Sequence, residues 1–297
     1  MFENMAGFEG EGHRSWDMFL DGTITQNPSN AEIVLIPVPY DSTTSYKTGA
    51  RDGPKAIIAA SKQLEDYDLE LNRDVSKVGI YTTPEIEVDA SGPEAMIERI
   101  KGAVDSVGKK PIIGLLGGEH TVTIGAIYAL RQRCSDLTVL YLDAHADLRD
   151  EYMGTRWGHA SVARRINEVC PVTLVGVRSL SAGERHFIEE AEIPTVFWPP
   201  RSGNINDVLN HVLDSLSGNV YISIDLDVFD PSIMAAVGTP EPGGMTWADV
   251  TALVRGVAEQ RSVLGFDLVE LSPSEGPEAS AFTAAKLAYK MIGYVTA

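Results

Sequence analysis

Basic residues are scarce in this chain: 24 lysines and arginines stand against 42 aspartates and glutamates, a formal net charge of −18. A nucleic-acid partner is thereby disfavoured, because phosphate contacts need a basic surface. Cysteine is rarer still. Cys134 and Cys170 are the only two, and neither sits in a CxxC pair, which argues against a disulfide framework or a thiolate zinc site. Both are expected in the core, near the ends of buried elements. No apolar run approaches the length of a bilayer span, so no membrane partner is expected. The opening stretch MFENMAGFEGEGHRSWDMF is acidic and has no apolar h-region, unlike a signal peptide. A cytoplasmic location follows as an expectation.

What is present is the composition of a soluble protein with a large core, 44% hydrophobic and 22% charged. From about residue 30, short β-branched runs alternate with longer amphipathic ones. The strands predicted are Ile33–Val38, Val78–Tyr81, Pro111–Leu116, Leu137–Leu142, Val172–Val177, Thr195–Phe197, Val220–Ile224 and Val263–Phe266. Several are continuously apolar, as strands buried on both faces should be. Helices are predicted at Pro93–Val107, Thr121–Arg131, His159–Glu168, Ile205–Leu216, Trp247–Glu259 and Pro277–Ile292, with Ser91 ahead of Pro93 and Thr246 ahead of Trp247 as helix starts. Such alternation implies crossover connections and a parallel sheet with helices on both faces. The chain reads as one domain, residues 30–297, preceded by a polar arm over residues 1–29 that packs on the body or on a neighbouring subunit. Two stretches rich in Gly, Pro, Ser and Thr, Tyr40–Pro54 and Asp230–Met245, read as long loops, which in a compact α/β domain are more often functional than not.

Three segments carry chemistry. Leu137–Leu142 runs into Asp143-Ala144-His145-Ala146-Asp147, so Asp143 falls at the carboxyl end of a strand, where open α/β sheets place their sites. If extended geometry continues, Asp143, His145 and Asp147 project on one side. Carboxylate with imidazole suits manganese or iron better than a thiolate-loving ion. Val220–Ile224 likewise runs into Asp225-Leu226-Asp227. Two adjacent carboxylates on so apolar a run are costly to bury unless a cation offsets them. The third segment is Gly117-Gly118-Glu119-His120-Thr121, where a glycine pair allows close backbone approach. His120 gains weight as a ligand from the other two segments. Together His120, Asp143, His145, Asp147, Asp225 and Asp227 are too many ligands for one ion with open positions and suit two ions bridged by carboxylates. Four aspartates cancel two divalent cations. A bridging hydroxide then leaves the centre slightly negative, which favours a cationic substrate.

In this order, the Gly-Gly-x-His, Asp-Ala-His-x-Asp and Ser-x-Asp-x-Asp-x-x-Asp-Pro segments resemble the ureohydrolase family of arginases and agmatinases. Gly238-Thr239-Pro240-Glu241-Pro242-Gly243-Gly244 and Gly265–Pro273 are similar too. The resemblance runs from about Val38 to the C-terminus. It implies a three-layer α/β/α fold with a mainly parallel, roughly eight-stranded sheet and a two-manganese centre at the strand ends. By motif position, His120 would bind one ion and His145 the other. Asp143 and Asp225 would bridge, Asp147 and Asp227 would each complete one side, Glu270 would hold the substrate guanidinium, and His159 would shuttle protons. A trimer or hexamer is expected on the same ground. Glu119 and Thr121 stand where the family more often has Asp and Ser; neither is expected to touch a metal.

The activity implied is attack of metal-activated water on a guanidinium, with release of urea. Asp147 orients the nucleophile, Glu270 pairs with the guanidinium, and Asp147 or His159 protonates the leaving amine. The loop Leu148–Trp157 lacks the Asn and Ser with which arginases hold a carboxylate, and its acids suit a second amine. Agmatine, giving urea and putrescine, is therefore the favoured substrate. Arg149 and Arg156 keep arginine and guanidinobutyrate in play as carboxylate partners. A single-metal amidohydrolase on the related deacetylase fold and a non-catalytic scaffold are the alternatives; the six filled positions weigh against both.

Overall fold

A computed structural model describes residues 18–20, 30–201 and 203–297. Among these residues, β1 (Ile33–Val38), β4 (Ile80–Thr82), β5 (Ile112–Gly117), β6 (Leu137–Leu142), β7 (Val172–Val177), β8 (Thr195–Phe197), β9 (Asn219–Asp225) and β10 (Ser262–Val269) form one sheet. The two strands between β1 and β4, β2 (Tyr67–Asp68) and β3 (Arg73–Asp74), pair as a separate antiparallel hairpin. The sheet order is β4-β1-β5-β10-β9-β6-β7-β8, and every pairing in it is parallel. β1, β6 and β7 are buried at every position, which explains their unbroken apolar sequences.

The helices are α1 (Gly53–Ser61), α2 (Pro93–Ser106), α3 (Val122–Arg133), α4 (Val162–Asn167), α5 (Ala182–Glu190), α6 (Ile205–Ser215), α7 (Trp247–Ala258) and α8 (Ala279–Val295). α2, α3 and α4 pack together, and so do α1, α8, α7 and α6. Two separate apolar clusters result, one built on Ile36, Leu115, Val139 and Leu174, the other on Leu35, Leu116, Leu140 and Ile222. Alternate residues of the same strands supply the two clusters, so the sheet is the middle of three layers. No helix among the described residues is long and apolar enough to cross a membrane.

Most predicted elements lie within two or three residues of those observed, and the differences have local causes. α2 starts from Gly92, at φ +120°, and not from Ser91. Thr246 does cap α7, in a reciprocal capping box with Asp249. The run from His159 opens with a 3-10 turn over His159–Ser161 before α4 begins. α1 and α5 had no predicted counterpart. Gly53-Pro54 reads as the end of a loop yet starts α1, with Pro in the first turn. Ser181 and Glu184 form a capping box for α5, a start signal that the sequence does contain. Cys170 is buried as expected, whereas Cys134 is half-buried just past α3; both are free thiols. The N-terminal arm lies largely outside the described residues. Within residues 18–20, Phe19 is buried and its N–H donates to Thr82 Oγ1 at 3.0 Å, while the Leu20 N–H donates to Ser61 Oγ at 2.8 Å.

Register brings the four central strands to a common finishing line. β6 pairs Leu142 with Ile224 of β9. β9 pairs Asp225 with Val269 of β10, and β10 pairs Leu268 with Leu116 of β5. Asp143, Asp225, Glu270 and Gly118 thus emerge side by side where the chain reverses its direction across the sheet. Gly118 is required there, since a Cβ would lie 1.9 Å from the Tyr40 carbonyl oxygen. Replacing Gly118 with Ala is expected to destabilise the fold by about 3 kcal/mol. Gly102, inside α2 with open space around it, is the contrast: Gly102→Ala should stabilise by about 1 kcal/mol. Urea denaturation of the two variants checks both signs.

Candidate metal centre and substrate pocket

His120 follows the glycine pair in the turn that opens into α3. Its Nε2 lies 2.9 Å from Ser223 Oγ, and that hydroxyl donates to Asp267 Oδ1 at 2.8 Å. With its proton so committed, Ser223 accepts from Nε2–H. The imidazole is then held in the tautomer whose Nδ1 is a lone pair. That Nδ1 faces three carboxylates: Asp143 Oδ2 at 3.1 Å, Asp225 Oδ2 at 3.2 Å and Asp147 Oδ2 at 3.6 Å. Asp267 is itself anchored by the Tyr221 hydroxyl at 2.8 Å and Thr123 Oγ1 at 2.9 Å. Tyr141 stacks on the His120 ring, centroids 4.4 Å apart and planes 2° from parallel. Its hydroxyl donates to Asp147 Oδ2 at 2.7 Å and lies 3.0 Å from His120 Nδ1.

A second group forms around His145, whose Nδ1 is 3.0 Å from Asp227 Oδ2 and 3.4 Å from Asp143 Oδ1. Asp227 accepts from the Ala144 N–H at 3.1 Å and more loosely from Thr239 Oγ1 at 3.3 Å. Two ligand sets that could hold a metal ion result, His120–Asp143–Asp147 and Asp143–His145–Asp227. They share Asp143, and Asp225 adjoins the first. All six predicted ligands therefore come together. The reason for one of them differs from expectation. Extended geometry does not carry through to Asp147; the backbone there turns left-handed, at φ +49°.

The residues fit a cationic centre on their own evidence. Asp143 is fully enclosed, and its Oδ2 has no hydrogen bond of good geometry, only the close approach of His120 Nδ1. Burial alone would strip the proton from His120, yet bonds to Asp143 and Asp225 raise its pKa well above the ordinary value. His145 is raised in the same way by Asp227 and Asp143 against its burial. Burial and the neighbouring Asp143 push Asp147 up, and burial with Asp227 pushes Asp225 up. Asp143 is pulled down despite burial, by His120 and His145. Protons are drawn wherever a cation would sit.

Glu270, one residue past β10, is also left-handed, at φ +67°. Its N–H donates to the Gly118 carbonyl at 2.8 Å, and its Oε1 accepts from the His120 N–H at 2.7 Å. Burial, with Glu119 nearby, raises its pKa to about 8. Asp147 and Glu270 are two of the six described non-glycine residues with positive φ, a conformation that costs on the order of 1–2 kcal/mol each. Both sit at the site.

His159 closes the near side. Its N–H donates to Thr43 Oγ1 at 2.9 Å, and its Nε2 lies 3.2 Å from Ser45 Oγ. Burial and the charge on His145 lower its pKa to about 4. Thr43 is in turn held by Glu119, whose carboxylate takes the Thr43 N–H at 2.7 Å, the Thr43 hydroxyl at 2.9 Å and the Ser42 N–H at 2.8 Å. Glu119 thus pins the start of the 40–54 loop over the site. Glu119, Ser223 and Asp267 lie inside the segments that carry the resemblance, which gives them no role, and Thr43 and Tyr141 lie outside those segments; all five are supporting residues. Tyr141 and Ser223 leave a further trace, since they alternate with Asp143 along β6 and with Asp225 along β9.

These groups floor a cavity of about 270 Å³, with His145, Asp147, Asp225 and Glu270 at its base. Its walls include Thr44–Lys47, Gly238 and Thr239, so both predicted long loops contribute. Arg149 and Tyr152 form another wall. That segment turns tightly: Tyr152 and Thr155 exchange both backbone hydrogen bonds, at 2.9 and 3.1 Å, across Met153 and Gly154. Asp150 ties it to the fully buried Arg165 at 2.6 Å. Arg149 lies 4.6 Å over the Tyr152 ring and 4.0 Å from Glu184. Lys47 pairs with Glu275 at 3.1 Å. Arg156 pairs with Asp150 and Glu168 and is not among the lining residues.

Comparison with known proteins agrees with this geometry. The family model described as Arginase family matches residues 31–293. An N(1)-aminopropylagmatine ureohydrolase of Synechocystis is 36% identical over 285 residues, covering 93% of each chain. An agmatinase of Pyrococcus horikoshii is 36% identical over 285 residues, covering 95% of this chain and 97% of its own. Among solved structures, the agmatine ureohydrolase of Thermoplasma volcanium superposes with a TM-score of 0.86 at 30% identity, covering 94% of both chains.

Because protons occupy the two ligand sets in the absence of a cation, metal binding must displace them. Titrating chelated protein with Mn2+ near pH 7 in weak buffer is expected to release at least two protons per chain; binding without release would contradict the protonation described.

Proposed function

The chain belongs to the Arginase family, a ureohydrolase that breaks C–N bonds, and from that premise we propose that it uses two Mn2+ ions to convert agmatine to urea and putrescine. The observation that carries the reading is the pair of His–carboxylate sets sharing Asp143, with the buried acid Glu270 beside them at the base of one cavity. His120, Asp143, Asp147 and Asp225 would hold one ion, and Asp143, His145, Asp225 and Asp227 the other. The chemistry such ions supply when bound is activation of water at neutral pH.

The chain's own residues do the rest. Glu270 offers a planar carboxylate to the planar guanidinium, a bidentate match, and its pinning to the His120 N–H fixes the direction of approach. Asp147 accepts a hydrogen bond from the attacking water and orients it. His159 is neutral at pH 7, since its pKa lies near 4. It can accept a proton from the reaction and return it to the leaving amine, with Thr43 and Ser45 holding the ring.

Agmatine is favoured by the charges around the cavity. Asp147, Asp225 and Glu270 face it, and of the two cations on its walls Lys47 pairs with Glu275 while Arg149 stacks on Tyr152, 4.0 Å from Glu184. A second reading, a guanidino compound with a longer amine tail, is favoured by relatives: N(1)-aminopropylagmatine ureohydrolases of Synechocystis and Thermococcus kodakarensis are 36% and 37% identical. A trimer or hexamer in the cytoplasm belongs to the same proposal.

Steady-state turnover of agmatine, N(1)-aminopropylagmatine, arginine and guanidinobutyrate tests the substrate class. Amine-tailed substrates should exceed both carboxylates by about 100-fold in kcat/KM; dominant arginine cleavage would reject the reading. Asp147→Asn should lower kcat on the order of 1000-fold with the fold retained, since Asn tolerates the left-handed backbone there. The pH dependence follows from Glu270. Its folded-state pKa is raised, so the free site holds the neutral acid until pH passes about 8, whereas a guanidinium needs the carboxylate. Bound cations would lower that value, so a pH–rate profile of the metal-loaded enzyme is expected to show kcat/KM climbing with pH and levelling at or below that region.

A further inference from the structure

We infer that Glu119 is a positioning residue for His159: through the Thr43 hydroxyl it holds the imidazole as the Nδ1–H tautomer and leaves the Nε2 lone pair free to take up a proton. The inference rests on the proton-carrying role proposed for His159 above and deepens it, naming the nitrogen that carries the proton and what selects it. Three donors converge on the buried Glu119. Its Oε2 takes the N–H groups of Ser42 and Thr43 at 2.8 and 2.7 Å, and its Oε1 takes the Thr43 hydroxyl at 2.9 Å. A hydroxyl has one proton to give. With that proton held by Glu119, Thr43 Oγ1 has only lone pairs to offer His159. One accepts the His159 backbone N–H at 2.9 Å; the other faces Nδ1, 3.3 Å away. The ring's own proton then belongs on Nδ1, where it meets an acceptor, since a lone pair there would oppose another lone pair.

Nε2 is left as the ring's acceptor, with Ser45 Oγ 3.2 Å away to donate to it. Both residues line the cavity. The molecule uses the same device twice, with opposite outcomes. Asp267 holds the proton of Ser223, which accepts from His120 Nε2–H and frees Nδ1. Glu119 holds the proton of Thr43, which accepts from His159 Nδ1–H and frees Nε2. In each case a buried carboxylate acts on an imidazole through one hydroxyl, without touching the ring. Glu119 therefore does more than fasten a loop. Its contact with Thr43 decides which face of His159 can receive a proton from the reaction.

Magic-angle-spinning NMR of the metal-free chain, labelled with 13C and 15N at its six histidines, reads the tautomer without reference to activity, and His159→Asn locates the signal. The ring is neutral at pH 7, its pKa lying near 4, and wild type is expected to carry the proton on Nδ1. Glu119→Gln reverses the polarity of the relay. Its amide N–H donates to Thr43 Oγ1 and turns the hydroxyl proton toward Nδ1, so the signal should invert to Nε2–H. Thr43→Val keeps the shape but removes the hydroxyl. Ser45 is then the ring's remaining hydroxyl partner, and Nε2–H is again expected, whereas Thr43→Ser should restore the wild-type pattern. In turnover of agmatine, Glu119→Gln and Thr43→Val should each lose about 10-fold in kcat, the scale for loss of an orienting hydrogen bond, with KM within about twofold. Bound Mn2+ should be unchanged, and Thr43→Ser should recover most of the rate. Nε2–H at His159 in wild type, or a tautomer unmoved by Glu119→Gln and Thr43→Val, would overturn the inference. The expected tautomers in a chain that releases no urea from agmatine would instead overturn the proposed reaction and leave the relay standing.

Discussion

Four aspartates and His120 are buried, with half-buried His145 beside them, all within a few ångströms of one another, and no lysine or arginine among the described residues pairs with them. Such a group is costly in a low-dielectric interior unless positive charge enters it. In the isolated chain protons supply that charge, raising His120 and His145 and partly silencing Asp147 and Asp225. Asp143 is the carboxylate that both ligand sets share, and its Oδ2 makes no hydrogen bond. Every other feature of the molecule can be understood as holding this group in place.

The parallel sheet does the first part. Matched register delivers β5, β6, β9 and β10 to one edge, and rigid, fully covered strands keep the carboxylates from drifting apart. A layer of fixed polar groups does the second: Asp267 and Ser223 set the tautomer of His120, and Glu119 with Thr43 sets His159. Strain is admitted where it serves. Asp147 and Glu270 occupy left-handed backbone, a local cost offset by the large apolar packing on both faces of the sheet.

Much of this is legible in the sequence because its causes are local. Apolar runs ending in Asp143 and Asp225 mark buried strands with acids at their tips, and period-two alternation places His145 correctly. Gly118 reads as a point of close approach and proves to be one, against Tyr40. The same alternation places Asp147 for the wrong reason, since a backbone turn, not an extended strand, brings it in. The supporting residues stay hidden because their roles are set by distant contacts. Asp267 meets His120 through Ser223, 103 positions from that histidine. Glu119 looks like a mere family departure until the loop it holds, 76 residues away, is in view. Locality is not always enough: the Ser181–Glu184 pair that caps α5 spans only four residues and is easily taken for loop.

The cavity above this centre gives it a direction. Acids face inward while Lys47 and Arg156 are paired with acids, so the site presents negative potential to a substrate and Glu270 to its planar cationic head. The central claim is that two cations complete the charge balance on which this arrangement depends. Elemental analysis of the purified protein, before and after chelation and alongside urea release from agmatine, addresses it most directly. Two divalent ions per chain are expected, lost together with urea production and restored with it. Full urea release from a chain carrying one ion or none would contradict the account.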